Sequence, residues 1–419
     1  MSSYKAERID AMNIVIMTGK FGMGHYVAAQ AIKQQIELSN IEANVEVIDW
    51  FQYLSPKHAD KFYHLFTVIV SKGCKLYNKR YVFLENRKTN QKPELSRYFL
   101  VHFARFIEDK KPDMIITTLP FCSQITSLYK ERHNIAFPLI TCVTDISGHS
   151  EWISKNTDFY LVGSHSVKER FIKKGVRPEV IFETGIPVRV EFEHIFSQIT
   201  NTDLKHNRRA LIMGGGLGIL PENEHFYEGL NNLKDCEITV ITGKNERLYQ
   251  RMKGKYDRLK ILGYVSNVYD YMRGADIIVS KPGGITIFEA IHAEIPILAL
   301  NPCLQQEINN AKYIQEMQIG SVTCGSSKQC LEAIVQFLYS DKLSDYQMKQ
   351  RLLKEHLMDN NISQIIENVM KDYGLLSADV INKKQKYEEC VTIEALKRTL
   401  PVLKEEGYEF VTLDELYKD

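Results

Sequence analysis

The stretch ADIIVSKPGGITIFEAIHAEIPILAL, residues 275–300, decides the fold. Asp276 to Ser280 reads as a strand end, Pro282, Gly283 and Gly284 as a turn, and Thr286 to Ala293 as a helix. IPILAL then returns as a second strand. Apolar strands joined through a helix imply a parallel sheet covered on both faces. The Gly-Gly turn leaves free N–H groups at the positive end of the helix, which makes an anion site. Glu289 lies in the first turns of that helix, where its carboxylate can reach ribose hydroxyls. An acidic residue there also simply favours the helix start. Beyond the second strand, CLQQEINNA (303–311) offers Gln306, Glu307 and Asn310, whose amides and carboxylate suit sugar hydroxyls.

The same rhythm extends in both directions. NIVIM (13–17), NVEVIDW (44–50), DMIITTL (113–119), PLITCVTD (138–145), FYLVGS (159–164) and VIFETG (180–185) read as strands separated by helical stretches. HYVAAQAIKQQIEL (25–38) is such a helix, with Val27, Ala28, Ala31, Ile32 and Ile36 on one side. The pattern restarts with NRRALIMGG (207–215), EITVITG (237–243) and LKILGY (259–264). With 419 residues, too many for one compact core, this predicts two Rossmann-like α/β domains, residues 1–195 and 196–375, followed by a tail, 376–419. In such sheets ligands sit beyond the carboxyl ends of the strands, so the cleft between the domains is the expected active site.

Two more glycine loops face that expected cleft. GKFGMGH (19–25) follows the first strand. It is no Walker A loop, because no Gly-Lys-Ser/Thr follows its glycines. It half-matches a dinucleotide fingerprint: Gly22 and Gly24 are spaced correctly, Val27 replaces the third glycine, and Asp49 stands near the ribose-binding position. His25, however, would crowd a pyrophosphate. Free N–H groups, a helix start and an imidazole suit instead a hydroxyl acceptor that must lose a proton. The second loop, LIMGGGLGIL (211–220), has Gly214, Gly215, Gly216 and Gly218, which permit close backbone approach to a ligand or make a tight strand–helix turn.

Composition removes other classes. Lys plus Arg number 53 against 52 Asp plus Glu, a balance that argues against nucleic acid as partner. The 8 cysteines show no two-residue pairing and read as reduced core residues of a cytosolic protein. The N-terminus lacks an apolar signal core, and no apolar run nears the ~20 residues that cross a bilayer. Residues 55–90 break the strand–helix rhythm, mixing aromatics, aliphatics and Lys/Arg. They fit either a helical hairpin packed on the sheet or a surface that dips aromatics into an anionic membrane interface.

SKPGGITIFEAI, with IPILALNPCLQQEINNA, GYVSNVYDYMRGADIIVSKPGG and ITGKNERLYQRM, resembles the donor site of family 28 glycosyltransferases. GMGHYVAAQAI, VTDISGHSEWI and DFYLVGSHSVKERFIKKGVRPEVIFETGIPVRVEF resemble the diacylglycerol-sugar branch, which holds monogalactosyldiacylglycerol synthases and processive diacylglycerol glucosyltransferases. The resemblance spans roughly residues 12–370. It implies a GT-B fold, with a lipid acceptor on the N-terminal domain, a UDP-sugar on the C-terminal one, and inverting transfer of a hexose.

By that resemblance Gly283 and Gly284 would face the pyrophosphate, within a turn and helix start that include Ser280, Pro282, Ile285 and Thr286. Glu289 would meet the ribose, and backbone around Tyr264 and Val265 the uracil. Gln306, Glu307 and Asn310 would touch the sugar and nearby phosphate. Gly214 to Gly216 would border the donor, with Gly243, Lys244 and Asn245 close by. His25 would sit near the sugar C1 in the loop of Gly22 and Gly24, and Asp145 with His149 would close that side. Asp145 can equally cap the turn after its strand, His149 can be a plain loop histidine, and Trp152 reads as a packing residue.

An inverting transfer needs one base, and His25 or Asp145 can serve; the favoured assignment is His25, oriented by Asp145. No Asp-x-Asp motif is present, so helix dipole and backbone N–H groups are expected to stabilise departing UDP with no metal and no cofactor. The implied location is cytoplasmic, peripheral on the inner face of the cell membrane. Met23 replaces a small or polar residue of many relatives, and CLQQE lacks their Pro-Gly, so sugar choice does not carry over. Residues 392–419 resemble the end of a NodB-type polysaccharide deacetylase without its metal and base motifs. Competing readings are N-acetylglucosamine transfer to a polyprenyl-linked acceptor, a UDP-sugar 2-epimerase-type isomerase, and a non-catalytic UDP-sugar sensor.

Overall fold

The computed structural model describes residues 12–375 apart from 22, 73, 86–92, 94–95, 194–206 and 217. Residues up to Ile366 form one compact unit, and the chain from Glu367 onward belongs to a second. Both the boundary expected near residue 195 and the tail 376–419 lie outside the described residues.

Two six-stranded parallel sheets form the first unit. The first contains β1 (Met12–Thr18), β2 (Ala43–Asp49), β3 (Met114–Thr117), β4 (Leu139–Cys142), β5 (Phe159–Val162) and β6 (Ile181–Glu183), in the order β2-β1-β3-β4-β5-β6. The second contains β7 (Arg208–Met213), β8 (Cys236–Ile241), β9 (Leu259–Leu262), β10 (Ile277–Ser280), β11 (Ile297–Leu300) and β12 (Gly320–Thr323), in the order β12-β11-β10-β7-β8-β9. Eleven of these strands fall where the apolar runs place them. The twelfth, β12, is a half-buried edge strand whose sequence, GSVT, carries little apolar signal. Every residue of β3, β4, β10 and β11 is buried, as strands covered on both faces require.

Six helices position the site: α1 (Gly24–Glu37), α2 (Ala59–Lys72), α3 (Cys74–Glu85), α4 (Gly284–His292), α5 (Gln305–Glu316) and α6 (Leu343–Met358). Helix α1 buries Ala28, Ala31, Ile32 and Ile36, the side read from its spacing. Helix α4 begins two residues before the expected Thr286, because Gly283 and Gly284 are themselves the N-cap and first turn. Helices α2 and α3 form the hairpin that residues 55–90 allow.

One apolar cluster joins the two halves at the base of the cleft. Ala28, Ile146, Ile186, Val188 and Phe192 of the N-terminal half pack with Ile285, Ile287, Phe288 and Ile291 of α4. Phe288 is fully buried there, and each such side chain contributes about 2–3 kcal/mol of burial. The return helix α6 closes the same seam: Leu357 packs where a side chain on Gly185 would stand. The two sheets are therefore held in one fixed relation, with their strand ends facing.

Of the six cysteines whose side chains are described, Cys122, Cys142 and Cys330 are buried and all six are free thiols. Cys303 and Cys324 are exposed, contrary to the core expectation, because both sit in loops past strand ends.

Candidate active site

A cleft of about 510 Å³ opens between the facing strand ends. His25, Tyr26 and Val27 line one wall; Gly214 to Gly216, Gly243, Tyr264, Val265, Gly283, Gly284 and Glu289 line the other. The two strand–glycine–helix turns thus meet across the gap. A side chain on Gly284 would stand 3.0 Å from the Thr144 carbonyl oxygen and 2.9 Å from Ile186 Cδ1. A Gly284→Ala substitution is expected to wedge the halves apart. Small-angle scattering should then show a more open molecule, and turnover should fall at least ~10-fold, since misplacing reacting groups by about 1 Å costs that or more.

On the N-terminal wall, His25 is the second residue of α1. Its Nδ1 lies 2.7 Å from Thr144 Oγ1, and Trp152, buried as a packing residue, flanks its ring at 6.1 Å. Dense protein surroundings strip the ring of hydration and hold its pKa at about 4, against weaker upward pulls from a Thr118 backbone hydrogen bond and the Asp145 charge. His25 is therefore neutral near pH 7, the state a base needs.

Asp145 does not orient His25 directly, as the sequence reading expected. Its Oδ1 accepts from Ser147 N at 2.8 Å and Ser147 Oγ at 2.6 Å, and its Oδ2 accepts from Tyr81 Oη at 2.9 Å. The Asx-type turn and a tyrosine from α3 take up the carboxylate, and Thr144, one residue earlier, holds the imidazole instead. His149 does not close the acceptor side either. It is buried, its Nδ1 accepts from Glu151 N at 3.2 Å, and its Nε2 meets the Tyr81 carbonyl at 2.9 Å. It pins α3 to the loop. Gly22 lies outside the described residues; Gly24 lines the cleft and packs toward Ile285.

The opposite wall is built on α4. A side chain on Gly283 would meet only Thr286 Oγ1, at an ordinary contact distance of 3.6 Å. A ligand can therefore approach the N–H groups of the turn. Glu289 lines the cleft and has no hydrogen-bond partner among the described residues. Burial drives its pKa up to about 7, only partly offset by the Arg189 charge. A buried carboxylate facing a cavity without a partner is a site for hydroxyl donors.

Other expected donor contacts act at one remove. Asn310 Nδ2 donates to the Pro282 carbonyl at 2.8 Å and so supports the glycine turn from below rather than reaching a sugar. Asn245 caps the next helix by accepting from Leu248 N at 3.1 Å, and its Nδ2 holds the Gly218 carbonyl at 3.0 Å. Ser280 is fully buried at the end of β10. Lys244 stands at the mouth, 5.9 Å over the Tyr264 ring and 3.8 Å from Met23 Sδ. Gln306 and Glu307 do line the cleft. Glu307 Oε2, however, is occupied by Cys303 N at 2.7 Å and Leu304 N at 3.3 Å, the N–H groups at the start of α5.

Sequence reasoning missed several lining residues. Arg189 donates to the Ser266 carbonyl at 2.6 Å and spans the Phe192 and Tyr269 rings. It ties the segment leaving the first sheet to the loop of Val265. Lys281, whose Nζ holds the Asn301 carbonyl at 2.6 Å, brings a cation beside the Gly283 turn. Its place in SKPGG was the available signal. Phe21, Phe66 and Tyr77 make an aromatic wall on the N-terminal side.

Known proteins share both the sequence and the fold. Residues 25–188 match the family described as monogalactosyldiacylglycerol (MGDG) synthase, and residues 209–365 match the glycosyltransferase family 28 C-terminal domain. The chain is 28% identical to a processive diacylglycerol beta-glucosyltransferase of Bacillus subtilis (strain 168), over 87% of this chain and 96% of that protein. A processive diacylglycerol beta-glucosyltransferase of Bacillus cereus (strain B4264) is 30% identical over 82% of this chain and 90% of its own. Among solved structures, Acinetobacter baumannii MurG superposes with a TM-score of 0.57 at 13% identity, covering 86% of this chain and 100% of its own. That likeness shows the GT-B fold. The chain belongs to the family 28 glycosyltransferases, in the group that holds the monogalactosyldiacylglycerol synthases and the processive diacylglycerol β-glucosyltransferases.

Proposed function

We propose that this glycosyltransferase moves a hexose from a UDP-sugar to diacylglycerol, with inversion at C1. One observation carries the reading: a neutral histidine at one helix start faces a bare Gly-Gly helix start and an unpartnered carboxylate across a single cleft. The relatives, named for diacylglycerol glucosyltransfer, supply the acceptor and the donor class.

In this reading uracil packs by Val265, the ribose hydroxyls donate to Glu289, and the diphosphate lies over the N–H groups of Gly283 and Gly284 with Lys281 nearby. His25 Nδ1–H donates to Thr144 Oγ1, which leaves the Nε2 lone pair to take the acceptor proton. The acceptor oxygen forms its bond to C1 from the face opposite UDP. The C1–O bond to the β-phosphate breaks, and UDP leaves with the electron pair. The α4 dipole, the turn N–H groups and Lys281 meet that charge. We propose that no metal takes part, so a chelator should leave turnover unchanged.

The acceptor's apolar part fits the aromatic wall of Phe21, Phe66 and Tyr77, which continues outward to Phe62, 45% exposed. Among the described residues no helix is long and apolar enough to cross a membrane. We propose that the α2–α3 hairpin meets an anionic surface on the cytoplasmic face of the cell membrane. Lys75, Lys79 and Phe83 recur every four residues on one face of α3 and are exposed. At about 1 kcal/mol per cation near such a surface, neutralising Lys75, Lys79 and Arg80 together should weaken flotation with anionic vesicles on the order of a hundredfold. Unchanged flotation would leave the hairpin a packing element.

The function itself is tested with purified protein, mixed lipid vesicles and radiolabelled UDP-glucose, UDP-galactose or UDP-N-acetylglucosamine. Label is expected in a diacylglycerol product with one hexose donor. Label in no lipid with any donor would overturn the proposal.

A further inference from the structure

Helix α3 touches both halves of the molecule. Toward the N-terminal half, Tyr81 donates to Asp145, and Glu85 Oε2 accepts from Ser150 N at 2.7 Å. Toward the C-terminal half, Asn78 Nδ2 donates to the Cys303 carbonyl at 2.9 Å, while its Oδ1 accepts from Gln305 N at 2.8 Å. Residues 78, 81 and 85 lie on one side of the helix, so one rigid element makes all these contacts. The Asn78 amide copies a strand's pairing with a neighbouring backbone: one donor and one acceptor against the same short segment.

That segment begins α5. Its first N–H groups need partners. Glu307 satisfies those of Cys303 and Leu304 from within the helix, and Asn78 satisfies that of Gln305 from across the cleft. The next side chain, Gln306, lines the cleft. One turn further along, at Tyr81, α3 holds Asp145, beside Thr144, which holds His25. The helix thus fixes the distance between the segment that faces the donor's sugar and the wall that carries the base.

We propose that Asn78 is a positioning residue: it clasps residues 303–305 across the cleft and sets where the donor's hexose sits relative to His25. The proposal rests on the glycosyltransferase reading. UDP itself is held by the C-terminal half, on Gly283, Gly284 and Glu289, none of which Asn78 touches. The clasp therefore acts on the sugar part of the donor and not on the nucleotide.

The test compares UDP with the UDP-hexose that the wild type transfers, by calorimetry, on wild type and Asn78→Ala. Loss of two backbone hydrogen bonds at the clasp is expected to weaken UDP-hexose binding about tenfold and to lower kcat further, while the UDP dissociation constant stays within about twofold. Hydrogen exchange should quicken at residues 303–307 and stay unchanged in α4, which shows that the variant folds and that the clasp alone has opened. Equal losses for UDP and UDP-hexose, or no loss for either, would overturn the proposal. A wild type that binds UDP but no UDP-sugar would overturn the glycosyltransferase reading instead.

Discussion

His25→Ala is expected to lower kcat for transfer by about 10²–10⁴-fold, the usual worth of a positioned general base, with the UDP dissociation constant changed less than about twofold. The two halves of that expectation have separate causes. His25 stands on α1, and the residues that face the nucleotide stand on α4 and the loops beside it, so the substitution removes a proton acceptor and no donor contact. A loss of UDP binding in this variant would place His25 on the wrong wall. The pH profile sharpens the assignment. With its pKa held at about 4 by lost hydration, His25 is already deprotonated across the physiological range. The kcat at saturating donor should therefore stay flat from about pH 8 down to about pH 5.5, and fall only as pH drops toward 4. A limb in kcat near the ordinary histidine value of about 6.5 would contradict this environment. Thr144→Val should cost less than His25→Ala, because it removes the partner of Nδ1 and leaves the ring.

Strand positions were legible because β-branched apolar runs bounded by glycine have few alternatives in a sheet covered on both faces. β12 was not, since a half-buried edge needs little apolar character. The two glycine turns could be placed opposite each other from order alone: strand ends of facing sheets share a side. What the sequence could not yield was the choice between neighbouring polar side chains. Asp145 and Thr144 are adjacent, and only the packing of α3, through Tyr81 from 64 residues away, decides which of them meets His25. Glu307 was read as facing a sugar, but helix-start N–H groups sit closer to it. Asn78 gave no signal at all, because a clasp on backbone atoms 225 and 227 residues away selects no partner side chain that a pattern could reveal. Glu289 was legible for the opposite reason. Its position in a helix that starts at a Gly-Gly turn fixes both its depth and its direction.

That depth makes Glu289 costly to the empty protein. A carboxyl with an ordinary pKa near 4.5 is raised to about 7 by burial. Its stabilising contribution is thus complete below about pH 4.5 and is lost as pH rises to 7, leaving a deficit on the order of 3 kcal/mol above that. Glu289→Gln does not titrate, so the variant should unfold at a higher temperature than wild type at pH 8, and the advantage should vanish at pH 5. Binding should move the other way. Ribose hydroxyls donate to the ionised carboxylate, so the wild type's affinity for UDP should weaken about tenfold between pH 8 and pH 6 as the carboxyl takes up its proton. In Glu289→Gln the affinity should be weaker at pH 8 and flat across that range. Calorimetry in two buffers of different ionisation enthalpy would detect the proton released when UDP binds wild type near pH 7, a release the variant should lack. A variant that binds UDP as tightly as wild type at pH 8 would remove Glu289 from the nucleotide site. A wild type whose affinity ignores pH between 6 and 8 would show that the carboxyl is not strained by burial. The stability lost to an unpartnered carboxylate is what the arriving ribose recovers, and for that reason stability and donor affinity should change in opposite directions at this one position.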